Sequence, residues 1–404
     1  MINADGQNKK PLWMRGRAKA AISRKGTIGE LLFFLAFFFF ILKYTFDITT
    51  LMQRPEMINS LLVGLCIACS MAKIMLQRYM LLRLVLTIAI CAVISFSSWI
   101  GFNYLFLLGF LLILGMQDID LEKVVRFSFR AKIISIGIHV LIYIPMYFLN
   151  PASIDFVYRG GASIVPRHYF FMGHANTFSA FLIWTCFDYI FINYKKLRVL
   201  HMAIIWLITL VSYSFAYTNT SLIVLAIATV LITLDKLFNN VPDKLFTFLA
   251  KYVYLFSAVF FPFLIVIYTR LDSELKELWH LLDDFFTGRL WLGAYAYYDQ
   301  GPTFFGRAYT EPKKVFWEGR WFDTLTIFDN HYIGNFLLFG IIHSVMTALV
   351  FIILARRMEN REKIIIIAFS FYCIMDAQVM ILVICSALFI IGKYLYPAKK
   401  ELTL

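Results

Sequence analysis

Apolar residues in this chain come in long runs rather than in alternation. Runs of about 18 residues recur along nearly its whole length, and the charges collect in the polar intervals between them. About 20 apolar residues at 1.5 Å each cover a bilayer's hydrocarbon core, so the pattern predicts helices that cross a membrane. Strands of a membrane barrel would alternate instead. Twelve spans are predicted, at roughly 29–46, 57–76, 80–99, 102–117, 132–149, 170–193, 199–216, 220–235, 250–269, 332–355, 363–375 and 377–393. The last two come from one apolar stretch of about 30 residues, too long for one span, with Asp376 marking the turn. The expected organisation is a basic tail (1–28), nine spans (29–269), a long loop (270–331), three spans (332–393) and a short tail (394–404).

Composition agrees. Of 404 residues, 61% are hydrophobic and 16% charged, where a soluble domain has about 25% charged. The net charge of +13 would point to nucleic acid in a soluble protein. Here its distribution gives another reading. Twelve spans put 27 of the 38 Lys and Arg residues on one side, including Lys123, Arg126, Arg130 and Lys132 between the fourth and fifth spans. Cytoplasmic loops carry such an excess, so both termini are expected in the cytoplasm. The apolar run "LLFFLAFFFFILKYTF" exceeds most signal-peptide cores and no small-x-small site follows, which reads as an uncleaved first span. All six cysteines lie in apolar stretches; Cys66 and Cys69 form a lone CxxC that reads as two small residues on one helix face.

Two predicted external segments are long: 150–169 and the 62-residue loop 270–331. Long loops in compact proteins usually carry function. The loop opens with Leu271, Leu275, Leu278, Leu282 and Phe285, an apolar stripe at helical spacing. Asp272 or Ser273 suits its start and Gly288 its end, which sets Arg289 at a helix junction. Such a helix would lie on the membrane surface or over the spans. The loop has seven basic and ten acidic residues, a net −3, with fifteen aromatics. Single arginines in an acidic, aromatic loop imply placed anion contacts and flat surfaces for sugar rings, or an interfacial aromatic belt.

Four stretches carry a family resemblance: "PRHYFFMGHANTFSAF" (166–181), "YTNTS" (217–221), "FTGRLWLG...GPTFFG" (286–306) and "FDNHYIGNFLLFGII" (328–342). In order and spacing the chain resembles the Wzy-type polysaccharide polymerases, the O-antigen and capsule polymerase family. The first stretch is similar to that family's arginine followed by Gly-His-x-Asn, the third to its Gly-Arg-Leu segment with a trailing Phe-Gly, and the fourth to its Asp-Asn-x-Tyr segment. The second departs from it: relatives often carry an arginine where Asn219, Thr220 and Ser221 stand, so that arginine's role has no counterpart here.

The resemblance implies a GT-C-like, inverting, metal-independent glycosyltransferase of the bacterial cytoplasmic membrane, with its site outside. It would join polyprenyl-pyrophosphate-linked oligosaccharide units, donor and acceptor both lipid-linked, without a cofactor. A flippase and a chain-length regulator are the expected protein partners. A departing pyrophosphate needs placed positive charge, and arginine's planar fork suits phosphate. Arg289 and Arg167 are the first candidates, with Arg159 and Arg307 beside them and Arg320 behind. Asp329 and His331, at the loop's re-entry, are candidates to take the acceptor's proton; His174, Asn176, Asn330 and Tyr332 are candidates for substrate contact. The acidic "DID" at Asp118–Asp120 reads as a solvated turn, and no metal-ligand spacing, P-loop or dinucleotide glycine pattern appears. Two alternatives stand: a lipid-linked oligosaccharide flippase or transporter, and a glycan ligase using the same donor. Against the transporter, no repeated halves are visible and the ionisable residues within spans, Asp188, His139, His201 and His343, are scattered.

Overall fold

The computed structural model describes residues 12–52, 55–77, 81–100, 104–151, 154, 156–159, 165–238, 242–268, 270–307, 313–323 and 328–396. It is a helical bundle. Among the described residues, seven helices are long and apolar enough to cross a membrane: Gly26–Ile48, Glu56–Met75, Leu121–Leu149, Ala175–Lys196, Val199–Ala216, Asn219–Leu237 and Asp243–Tyr268. The chain is therefore an all-α membrane protein.

The first helices are α1 (Leu12–Ile48), α2 (Glu56–Met75), α3 (Leu81–Ile100), α4 (Tyr104–Leu114) and α5 (Leu121–Leu149). At 11 residues α4 is about 16 Å long, short of a full crossing. The "DID" motif forms the turn before α5: Asp118 takes a φ of +62°, and the Asp120 carboxylate caps the helix by accepting from the Glu122 amide. After the hairpin β1 (Val157–Arg159) and β2 (Val165–Arg167) come α6 (Ala175–Asn193), α7 (Val199–Ala216), α8 (Asn219–Leu237) and α9 (Pro242–Tyr268). Of α6's most apolar stretch 78% is buried, against 22% for α7, so α6 is central and α7 keeps its apolar surface for lipid.

The loop is structured. The helices α10 (Ser273–Phe285) and α11 (Arg289–Gln300) precede the hairpin β3 (Lys314–Trp317) and β4 (Arg320–Asp323). Asp272 caps α10 through the Leu275 amide, and Thr287 and Gly288 turn the chain at φ +58° and +82°. The expected stripe divides. Leu275, Leu278 and Phe285 are exposed, while Trp279, Asp283 and Phe286 face inward. Asp283 caps α11 by accepting from the Leu290 and Trp291 amides. The Trp279 indole donates to the Leu264 carbonyl, and Phe261 meets Phe286 at 5.2 Å, so the loop helices lie along the last turns of α9.

The tenth predicted span is broken. A short helix α12 (His331–Gly334) runs into a π turn, Asn335–Phe339, and α13 (Ile341–Leu354) starts afresh beyond Gly340. Loop backbone fills the break: Ile341 and Ile342 donate to the carbonyls of Thr303 and Phe304, and Arg307 to that of Leu338.

The helix α14 (Asn360–Met375) matches the eleventh predicted span, and Asp376 ends it as expected. The twelfth predicted span is not a helix. Residues 377–389 form two short 3₁₀ pieces joined by a tight turn before α15 (Ile390–Leu395). Hydropathy reports burial, not backbone geometry, and Leu382–Cys385 is enclosed by protein on all sides. Freed backbone groups at membrane depth need partners. Lys132 supplies one, donating to the Ile384 carbonyl and to Asp188, which also accepts from Ser386. Lys132 is 0% exposed, so it is an anchor inside the bundle, not one of the loop cations of the sidedness count. The chain still returns along the length of α14. Lys393 and Tyr394 bond to Glu362, in the first turn of that helix.

Candidate functional site

The residues of interest meet where α6 begins and α14 ends. Arg167, the last residue of β2, is buried; its Nε donates to the Ala216 carbonyl at 2.7 Å and its Nη2 to Asn176 Oδ1 at 2.6 Å. That carbonyl closes α7, where a helix end is negative. His174 is the N-cap of α6, its Nδ1 accepting from the Asn176 amide. Burial and then Arg167 lower the proton affinity of His174, while Asp329 raises it, so Asp329 is within its electrostatic reach.

Asp329 comes from the far end of the loop and pairs with Arg289, Nη2 to Oδ2 at 3.2 Å. Arg289 opens α11. Its Nη1 donates to the Phe286 carbonyl and the Thr287 hydroxyl, and its Nε is buried without a partner. The guanidinium is 14% exposed and the Asp329 carboxylate 53%, so the cation faces inward and the anion covers it. Asn330, 1% exposed, caps α12 with Oδ1, and its Nδ2 donor has no partner. Among the described residues of the loop, these two are the buried side-chain donors left without a partner.

Asp376 completes the group. It is 5% exposed, and its Oδ1 accepts from the Gln378 amide. Burial raises its proton affinity, Asp329 raises it further and Arg289 lowers it; the turn that Asp376 caps packs against α12, which Asn330 starts. Gln378 Oε1 accepts from Thr177, so the turn after α14 is tied to the first turn of α6 beside Asn176.

Other predicted residues lie apart. His331 is buried, with its Nε2 at 2.8 Å from the hydroxyl of Tyr254, halfway along α9. Tyr332 donates to the Ser370 carbonyl and stacks on Phe261. Both are packed core groups below Asn330. Arg307 sits at the opposite end of α11 from Arg289, bonding Gln300 and the Leu337 carbonyl, which braces the loop against the π turn. Arg159 lies on β1 opposite Val165, and its side chain is outside the described residues.

In the residue pattern Asp376 stands out only as a turn marker, and nothing there points to Gln378, Thr177 or Glu318. The signal for Asp376 was present, because a lone acid within about 30 apolar residues is a functional candidate by default. Glu318 lies at the tip of the β3–β4 hairpin. It accepts from Lys276 at 2.8 Å, from Trp291 and from the Tyr268 hydroxyl, and these residues with His280 line a cavity of about 250 Å³.

Two pairs of the four stretches are joined, and the charge of Asp329 links the second pair to His174 before α6. Ser179 bonds both Thr218 and Ser221 of "YTNTS", and the "FTGR" and "FDN" stretches meet through Arg289 and Asp329. The chain matches no protein-family model, no curated protein and no solved structure.

Proposed function

We propose that this protein is a membrane glycosyltransferase that polymerises polyprenyl-pyrophosphate-linked oligosaccharide units on the outer side of a bacterial cytoplasmic membrane. One observation carries this reading. Arg289, of the third stretch, pairs with Asp329, of the fourth; its inward-facing guanidinium keeps an unpartnered Nε, and Asn330, next in the chain to Asp329, keeps an unpartnered amide. Unused donors beside an arginine fork suit the oxygens of a pyrophosphate. In this reading the chain crosses the membrane twelve times, with both termini cytoplasmic and the last crossing made without a regular helix. Arg289 binds the donor's pyrophosphate and stabilises it as it leaves, and Asp329 orients Arg289 in the absence of substrate. Arg167 and Asn176 form the facing wall, with His174 at its edge. His331 and Tyr332 support the site from beneath.

The transport reading has one observation of its own, the buried Lys132–Asp188 pair. Both members are committed to holding residues 384–386, which makes the pair an anchor rather than a carrier site. Deleting the gene in its host separates the readings. Single carrier-linked units collecting outside, with long polymer absent, support polymerisation. Units trapped on the cytoplasmic face would identify a flippase, and polymer made but left on its carrier would identify a ligase.

A further inference from the structure

The acceptor's proton needs a destination, and Asp329 is poorly placed to receive it. Its carboxylate is half open to solvent and already engaged by Arg289. Asp376, which caps the turn packed against α12, two residues on from Asp329, has the properties Asp329 lacks. It ends α14 in extended backbone, and the following 3₁₀ turn, which it caps through the Gln378 amide, holds its carboxyl in place. The turn is pinned to α6 by Thr177. One carboxyl oxygen is thus fixed by the backbone, and the other has no hydrogen bond among the described residues.

Resting on the polymerase reading above, we propose that Asp376 is the catalytic base of this site. The acceptor hydroxyl gives its proton to the free oxygen of Asp376 as its own oxygen bonds to the donor's anomeric carbon. The bond from that carbon to the pyrophosphate oxygen breaks, and its electron pair leaves with the lipid pyrophosphate, held by Arg289. The proton then passes from Asp376 to solvent or to the departing phosphate. Base and leaving-group binder stand on different elements, α14's end and α11's start.

The electrostatics agree. Asp376 lies outside the seven long apolar helices, and its carboxyl is pushed up to about 7, first by burial and then by Asp329, against the Gln378 amide and Arg289. Tyr44 from α1 and Tyr372 and Cys373 from α14 are the other titratable groups that feel its charge. A base works best when its proton affinity lies near the working pH.

The test uses the full-length protein in lipid nanodiscs and, as substrate, the carrier-linked units extracted from the deletion strain. Wild type should lose activity by about tenfold per pH unit below neutrality, as the carboxylate form disappears. Asp376→Asn should bind the units as wild type does, polymerise about 10²-fold or more slowly, and lack that acid limb. Asp376→Glu should be slower than wild type with its limb displaced. Should the asparagine variant not be recovered from membranes, the glutamate variant decides. Wild-type rate and an unmoved limb in either variant would overturn the assignment while leaving the polymerase intact. A wild type that leaves the units unjoined would overturn the polymerase reading, and this inference with it.

Discussion

Gly306 and Gly340 meet backbone to backbone. A β-carbon on Gly340 would lie 2.4 Å from the Gly306 nitrogen, and one on Gly306 would lie 2.4 Å from the Leu338 carbonyl oxygen. Both take left-handed φ values, +96° and +93°. These are the trailing Phe-Gly of one resemblance stretch and the closing glycine of another. The loop returns to the membrane by inserting the first into the break made by the second.

That contact predicts a contrast. Gly340→Ala faces backbone atoms that cannot yield and an unfavourable φ, so it should cost about 3 kcal/mol or more and free the loop. Gly288→Ala, at φ +82° with nothing within 4 Å of its β-carbon, should cost only about 1–2 kcal/mol. Thermal melts of the purified variants would show the order, and equal losses would remove the special status of the 306–340 contact.

Arg289 and Arg307 should separate function from architecture. Arg289→Lys keeps the charge but loses the fork, and polymerisation should fall about 10²–10³-fold with the fold intact. Arg307→Ala removes three bonds to Gln300 and Leu337. It should lower the melting temperature while the turnover of the folded fraction changes little. A kinetic assay normalised to folded protein tells the two apart.

The Lys132–Asp188 pair should behave as a buried anchor. Lys132→Met leaves the Asp188 carboxyl buried without its partner, and breaking a buried pair this way costs about 3–5 kcal/mol. Replacing both residues by apolar ones of like volume should cost less than the single change. Cys385, next to the carbonyl that Lys132 holds, is free and fully buried. Its labelling by a maleimide should accelerate in Lys132→Met, and an unchanged rate would mean that the pair does not secure this segment.

Glu318 gives the loop an acid sensitivity. Burial pushes its carboxyl up, but Lys276, the Tyr268 hydroxyl and Trp291 together hold it below the usual glutamate range. A depressed folded value means the stabilisation is complete above the unfolded pKa, about 4.3. It is lost as pH falls through the lower folded value. The hairpin should therefore loosen under acid, below about pH 4. Trp291 and Trp317, 5.0 Å apart, supply the fluorescence signal. Glu318→Gln should already read as loosened at neutral pH and show no further acid step.

Much of this was legible in the sequence because it followed from period and hydropathy. The spans matched by α1, α2 and α5 to α9, the α10 helix with its Asp272 cap and the junction at Arg289 all appear where the residue pattern put them. The failures share a cause. A buried turn and a buried helix have the same composition, so residues 377–389 and the Gly340 break were read as regular spans. Lys132 looked like a loop cation because charge counting ignores pairing across α5 and α6. The hairpins β1–β2 and β3–β4 were missed, since their strands are only three or four residues long. Asp376 was visible as an oddity, but only its neighbours Arg289 and Asp329, from distant sequence, give it a role.

The irregular run after Asp376 also bears on how the molecule is made. Its backbone cannot rest against lipid, so it has no stable place in the bilayer until a proteinaceous slot exists. Its described side-chain partners, Thr177, Lys132 and Asp188, are translated long before it. The earlier helices must therefore gather first and hold an open seam, which this run closes when it is threaded in. Ribosomes stalled just before Asp376 would leave a bundle already inserted but still unzipped along α5 and α6.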